Sequence, residues 1–325
     1  MPTIKDVAEK AGVTVTTVSR VLNNRGYISE ATRKKVYKAM EELNYQPNEL
    51  ARSLFRGKSQ LLGLIIPTVA HPFFAELAAS IEAYAHAKGY KVLLCNSQLN
   101  REKEKEYIEM LKRHQVAGII MASHTMEVDE FAKVKLPLVT FDRRIGANIP
   151  YVSSDNYQGG QLATNLLIDK GCRKIAHVCG NLSLNMLANK RNEAFVDTAR
   201  ERGVEYYTIQ TEINVFETKQ YELLIRDLFN EHPDLDGIFA NSDLMAVSAI
   251  KVCSLLKKRI PHDVRIVGYD DTNIASLVLP QITSIRQPIE QMSALAIDLL
   301  IRQMNKEQIS VDNILPVILH ERETT

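Results

Sequence analysis

Tryptophan is absent and aromatic residues make up only 6% of the 325-residue chain, which by itself excludes nothing. Other absences exclude more. The four cysteines, Cys95, Cys172, Cys179 and Cys253, stand at irregular spacings with no C-x-x-C pair. A disulfide framework is not expected; the thiols read as reduced and buried, as in a cytoplasmic protein. No apolar run approaches the roughly 18 residues that span a bilayer, and MPTIKDVAEK has no apolar core of an export signal. There is no G-x-S-x-G elbow, H-E-x-x-H, G-x-x-x-x-G-K, or G-x-G-x-x-G after a strand. The eight histidines, His71, His86, His114, His124, His177, His232, His262 and His320, lack metal-ligand spacing. Neither an enzyme, a metal site nor a cofactor is expected.

An excess of charge of one sign is also missing: the net charge is +1. Its distribution is uneven. Residues 1–60 hold eleven Lys or Arg against six Asp or Glu, whereas the remainder holds 29 against 33. A basic head on a mildly acidic body is the asymmetry expected when one end faces phosphates.

In the head, Thr3 caps a first helix with Asp6 at its third position, and Ile4, Val7, Ala8 and Ala11 recur at helical spacing. Gly12 stops that helix. Thr14 starts a second, buried through Val18 and Leu22, and Ser29 caps a third with the stripe Val36, Met40 and Leu43. Two short helices joined by a Gly turn, then a third, describe a helix-turn-helix. A three-helix bundle with no partner is the bland alternative. Against it, the second helix exposes Val15, Thr16, Thr17, Ser19 and Arg20, short groups plus one long donor, suited to a groove. Arg33, Lys34, Lys35 and Lys38 line a face able to meet phosphates. Pro47, Asn48 and Gly57 then bracket a helix too short to be stable alone in water.

IKDVAEKAGVTVTTVSRVLNN, followed by TRKKVYKAMEELNYQPNELARSL, resembles the head of the LacI/GalR family of transcription regulators. VLNNRGYIS and DNYQGGQLAT are similar to the sugar-operon repressors of Gram-positive bacteria, sucrose repressors most of all. The resemblance implies base contacts at Val15, Thr16 and Arg20, and phosphate contacts at Thr3, Thr17, Asn23 and Arg33. It also implies a hinge helix paired across a homodimer, with Leu54 as the wedge between base steps of the minor groove and Ala51 allowing close approach. A plain linker is the alternative for this segment.

From Leu61 short apolar runs alternate with amphipathic helices: LLGLIIP, YKVLLCN, AGIIMAS and LPLVTFD, then KIAHVCG, YYTIQT, GIFANS and VRIVGYD. This alternation specifies an α/β class with two doubly wound parallel-sheet subdomains, and ligands of such sheets sit beyond the carboxyl ends of the strands. The groups placed there are His71-Pro72-Phe73-Phe74, Asp142-Arg143, Asp155-Asn156, Arg191, Asn241-Ser242-Asp243 and Asp270, with Gln287 where the chain crosses back. Carboxylates, amides, an arginine and aromatic rings suit a polyhydroxylated small molecule. Strand-end Asp142 and Asp270 also fit as loop holders. One of Phe73 and Phe74 is expected in the core, and Asp243 reads as a helix cap more than a ligand.

The resemblance implies a periplasmic-binding-protein-like body and assigns effector contacts to Asp155, Arg191, Ser242 and Asp270. Phe74 and Gln287 then line the cleft, and either Asn241 or Ser242 is the contact at that position. The expected domains are a head over 1–46, a hinge and linker over 47–60, an N-subdomain of 61–158 plus 289–325, and a C-subdomain of 159–288. The reading is a repressor of a carbohydrate operon, released from double-stranded operator DNA by a sugar or sugar phosphate. The chain ends at HERETT without a Leu heptad, so a homodimer is expected. The alternatives are a catabolite-control regulator whose co-effector is a phosphocarrier protein, and a sugar-binding module without DNA activity.

Overall fold

The computed structural model describes residues 2–46, 59–125, 134–212 and 217–325, as two compact units, Met1–Gln60 and Leu61–Thr325. In the first, α1 (Ile4–Ala11), α2 (Val15–Leu22) and α3 (Glu30–Glu42) form where local signals place them. Asp6 takes the Thr3 backbone N–H at 2.6 Å, Thr14 Oγ1 accepts from the Thr17 N–H at 3.1 Å, and Ser29 Oγ accepts from Thr32 at 3.3 Å. Gly12 closes α1 at φ +66°, a conformation a side chain resists. The core is Val7, Ala8, Val18, Val21, Val36 and Ala39. Leu22, Met40 and Leu43, expected at its centre, are half-buried at its margin.

The second unit contains two six-stranded sheets. The first is ordered β11-β5-β4-β3-β1-β2, from β1 (Leu61–Ile66), β2 (Lys91–Asn96), β3 (Gly118–Met121), β4 (Leu138–Phe141), β5 (Tyr151–Ser154) and β11 (Asp312–Leu315). The second is ordered β12-β10-β9-β8-β6-β7, from β6 (Lys174–Cys179), β7 (Glu205–Gln210), β8 (Gly237–Ala240), β9 (Arg265–Asp270), β10 (Thr283–Arg286) and β12 (Ile318–His320). All pairings are parallel except β10 with β12. The central strands are buried on both faces, as parallel strands covered by helices must be.

Helices α4 (Pro72–Ala87), α5 (Arg101–Arg113) and α11 (Ile289–Met304) belong with the first sheet, through Leu77, Ile81, Leu111 and Leu300 among others. Helices α6 (Asn156–Asp169), α7 (Lys190–Glu201), α8 (Thr218–Glu231), α9 (Asp243–Leu255) and the short α10 (Asn273–Leu277) belong with the second.

The chain therefore crosses three times between the halves, near 155, 287 and 316. This changes the expected division. Residues from 318 onward do not join the N-subdomain: β12 pairs with β10, and the Ile266 N–H donates to the Thr324 carbonyl at 2.9 Å. The first boundary also moves ahead of α6, whose Ala163, Leu167 and Ile168 pack in the second half.

Gly159 and Gly160 of α6 explain the paired glycines. A Cβ on Gly160 would lie 2.5 Å from the Arg191 carbonyl oxygen and 2.8 Å from Ala194 Cβ; one on Gly159 would meet the Tyr269 hydroxyl at 2.5 Å. Only bare backbone lets α6 approach α7 and β9 this closely.

Candidate functional site

The carboxyl ends of the strands in both halves open on one cavity of about 1080 Å³, its mouth included. Arg191, on the first turn of α7, lies at its floor and is 4% exposed. Its Nε donates to Asn156 Oδ1 at 2.7 Å and its Nη1 to the Asn241 carbonyl at 2.9 Å. The guanidinium lies 3.5 Å from the centroid of the Tyr269 ring. Such a group is oriented before any ligand arrives.

Two strand-end carboxyl groups line the same cavity. Asp142, which ends β4 at φ +50°, accepts from Ser153 Oγ at 2.6 Å and Asn156 Nδ2 at 3.1 Å. Asp270, which ends β9 at φ +100°, accepts from Gln287 Nε2 at 2.7 Å, while Gln287 Oε1 takes the Ser154 hydroxyl at 2.7 Å. Ser154 ends β5 of the first sheet and Asp270 ends β9 of the second, so Gln287 ties the two halves through one amide. Phe73 and Phe74 form an edge-on pair on the wall, and Phe141 lines it too. Phe73 is also core, as expected of one of the two.

The histidines of the cavity include two held neutral. Burial pushes His71 down to about 4, with nearby Arg191 adding to the effect, and burial likewise takes His177 to about 4. His71 Nδ1 accepts from the Phe73 N–H, and His177 stacks on Phe239 at 4.4 Å while meeting Asn192 Oδ1 at 3.0 Å.

The cavity brings together Phe74, Arg191, Asn241, Ser242, Asp270 and Gln287 of the expected residues. Asp155 lies outside its lining. Its carboxylate caps α6, accepting from the Gln158 N–H at 2.9 Å, and the next residue, Asn156, is the one that reaches Arg191. Asp243 is neither ligand nor cap: Ser242 caps α9. Asp243 instead accepts from the Thr272 N–H at 2.7 Å, Thr272 Oγ1 at 2.9 Å and Ser284 Oγ at 2.6 Å, so it clamps the loop after β9. Sequence reasoning missed His177, Asn192 and Tyr269, and it named Asn156 among the strand-end groups without assigning it a contact. A polar His177 inside the apolar run KIAHVC was the available signal.

Burial raises the Asp243 carboxyl to about 7 and raises Asp270 well above the usual range, each made harder to ionise by the other or by a neighbouring aspartate. Aspartates of an unfolded chain ionise near 4. Between about pH 4 and 7 the folded state therefore holds protons that the unfolded state has lost. The stability so gained is complete below pH 4 and declines as pH rises through 7. Asp270→Asn, which keeps the acceptor for Gln287, is expected to shrink the fall in unfolding free energy between pH 5 and 8. Urea denaturation at the two pH values measures it; an unchanged fall contradicts the assignment.

On the head, Val15, Thr16 and Arg20 are exposed on α2, opposite the buried Val18. Thr3 donates its hydroxyl to Asp6, Thr17 shares a hydrogen bond with Thr14, and Asn23 Nδ2 donates to the Ser19 carbonyl at 2.9 Å. Arg33 is half-buried, while Lys34 and Lys38 pair with Glu30 and Glu42. Ala51 and Leu54 lie outside the described residues.

Comparison with known proteins matches residues 3–48 to bacterial regulatory proteins of the lacI family and residues 164–325 to a periplasmic binding protein-like domain. The chain is 39% identical over 326 residues to a ribose operon repressor of Halalkalibacterium halodurans, covering 100% of this chain and 97% of that protein. It is 40% identical over 314 residues to a sucrose operon repressor of Streptococcus mutans, covering 97% and 96%. A crystal structure of a periplasmic binding protein/LacI transcriptional regulator from Alkaliphilus metalliredigens, complexed with D-xylulofuranose, is 39% identical with a TM-score of 0.76. It covers 82% of this chain and 99% of that one. With the helix-turn-helix head, the paired parallel sheets and full-length relatives at this identity, the chain belongs to the LacI family of bacterial transcription regulators.

Proposed function

We propose that this protein represses a carbohydrate-utilisation operon and is released from its operator by a small sugar held in the cavity. The observation that carries the reading is the pre-oriented Arg191, which shares the cavity with Asp142, Asp270 and the Phe73–Phe74 pair. Carboxylates and amides bond hydroxyls in both directions, and a ring covers the apolar face of a sugar. The names of the relatives, ribose and sucrose operon repressors, and the D-xylulofuranose held by a similar body support the ligand class.

DNA recognition falls to α2. Arg20 can hold a guanine edge with two hydrogen bonds, whereas Val15 and Thr16 offer a methyl contact or one hydrogen bond. Thr3, Thr17, Asn23 and Arg33 would hold phosphates, the first three by exchanging their internal bonds. Leu54 and Ala51 would serve the minor groove. A homodimer would match a palindromic operator. The exposed Leu223 of α8, Leu255 and Leu256 at the end of α9, and Leu277 and Leu279 around α10 are available for its contact.

The test is operator binding by fluorescence anisotropy, using a palindromic duplex selected from a random pool. Binding should exceed that of a scrambled duplex by about 10³-fold or more, and a sugar from a pentose, hexose and disaccharide panel should release it. Release by none of them, with binding intact, overturns the effector reading. Arg20→Ala is expected to cost about 1–3 kcal/mol of operator affinity and to relax preference at one base position. Unchanged discrimination would remove the base-reading role of Arg20.

A further inference from the structure

We infer that the cavity takes an uncharged sugar and excludes its phosphate esters. The inference rests on the reading of the cavity as the effector site and names the chemistry of that effector. Among the described lining residues Arg191 is the only Arg or Lys, against the carboxylates of Asp142 and Glu212, with Asp270 beside them hard to ionise. A phosphate monoester carries a charge of about −1.5 to −2 at neutral pH and calls for several cations or a free arginine fork.

Arg191 is not a free fork. Its Nε is committed to Asn156, its Nη1 to the Asn241 carbonyl, and its plane to Tyr269. The donors that remain suit one or two hydroxyl oxygens. Its charge also already faces Asp270, whose ionisation it eases. His71 and His177 add no charge near neutral pH, since burial holds both at about 4.

Helix N-termini are the other source of anion binding, and α4, α7 and α9 start at the cavity. Their first turns are partly occupied from within the protein. Pro72 has no N–H, His71 takes the Phe73 N–H, and Ser242 takes the Met245 N–H at 3.3 Å. Helix α7 continues the 3₁₀ turn Leu187–Asn189, so it presents no open end. The other polar groups of the lining are the amides of Asn181, Asn189, Asn192, Asn241 and Gln287, which already bond within the protein, Gln287 to Asp270 and Ser154 for example, and each of which carries both donors and an acceptor. That is the complement of hydroxyls, which also do both.

The test is titration calorimetry on the full-length protein with matched pairs: D-ribose and ribose 5-phosphate, D-xylulose and xylulose 5-phosphate, D-fructose and fructose 6-phosphate, sucrose and sucrose 6-phosphate. At least one free sugar should bind, and its ester should bind about 100-fold more weakly or not at all. An ester binding as tightly as its parent sugar overturns the inference while leaving the effector reading standing. Binding of neither member of any pair removes the effector reading and the inference with it. Asp142→Asn separates charge from size: it should narrow the preference for sugar over ester about tenfold, and an unchanged ratio would overturn the electrostatic basis.

Discussion

Arg191→Ala is expected to lower sugar affinity about 100-fold or more and to abolish release at ligand concentrations that free the parent protein, while operator affinity in the absence of sugar stays within about twofold. The truncation removes the donors at the floor of the cavity. It also leaves Asn156 Oδ1 with only the long 3.5 Å contact from the Tyr269 hydroxyl and removes the 2.9 Å donor of the Asn241 carbonyl. Buried acceptors left unpaired cost about 1–3 kcal/mol each, so a modest loss of stability accompanies the loss of binding. Without the guanidinium, Asp270 becomes still harder to ionise, because Arg191 is the nearby charge that opposes its burial. Arg191→Lys keeps the charge but not the planar stack on Tyr269 or the fixed fork, and should fall between the two. Calorimetry with the released sugar and anisotropy with the operator measure both sides. A variant that binds sugar normally would move the site elsewhere.

Gly160→Val is expected to give the largest loss of stability of any single change considered. Even one methyl would meet the Arg191 carbonyl at 2.5 Å and Ala194 Cβ at 2.8 Å, so the helix backbones must part. Overpacking of this kind costs about 1–3 kcal/mol for small insertions, and the branched side chain adds to it. A fall in melting temperature of about 5 °C or more follows for a unit of this size. Because α7 carries Arg191 and Asn192 into the cavity, sugar affinity should fall with stability, which distinguishes this site from an ordinary core defect. A variant that melts and binds like the parent protein would show that the close approach of α6 and α7 is dispensable.

The legible part of the chain is the part written in local or periodic signals. In the head, each helix starts at its capping residue, Thr3, Thr14 or Ser29, and the first stops at Gly12. The apolar runs of the body mark eight strands because parallel strands covered on both faces need continuous hydrophobicity. Four strands escaped. β5, β10, β11 and β12 have only three or four residues and carry Ser153, Ser154, Thr283, Ser284 and Asp312. Their pairing is decided by neighbours rather than by their own pattern, so the third crossing of the chain escaped with them.

The site divides the same way. Strand-end position points to Asp142, Asp270 and Asn241, but it cannot tell a ligand-facing carboxylate from one occupied within its own loop. That is why Asp155, spent on the Gln158 N–H, was assigned an effector contact and Asn156, named beside it, was not. Tyr269 comes from a strand, and only the tertiary fold puts it beside Arg191; Asn192 follows Arg191 directly, and only the fold shows that it meets His177. Asp271, which accepts from Arg286 Nε at 2.9 Å and lies at ion-pair distance from His320 (2.8 Å) and Arg322 (2.6 Å), holds the end of the chain to the second sheet. Nothing in its local sequence announces that.

The account turns on coupling between the cavity and the head, and coupling is reciprocal: if sugar lowers operator affinity by some factor, saturating operator must lower sugar affinity by the same factor. The direct measurement is the sugar dissociation constant of the full-length protein by calorimetry, with and without saturating operator duplex. The account predicts a weakening about equal to the sugar's effect on operator affinity, on the order of 5- to 150-fold, and none with a scrambled duplex. A sugar affinity unchanged by bound operator would contradict it.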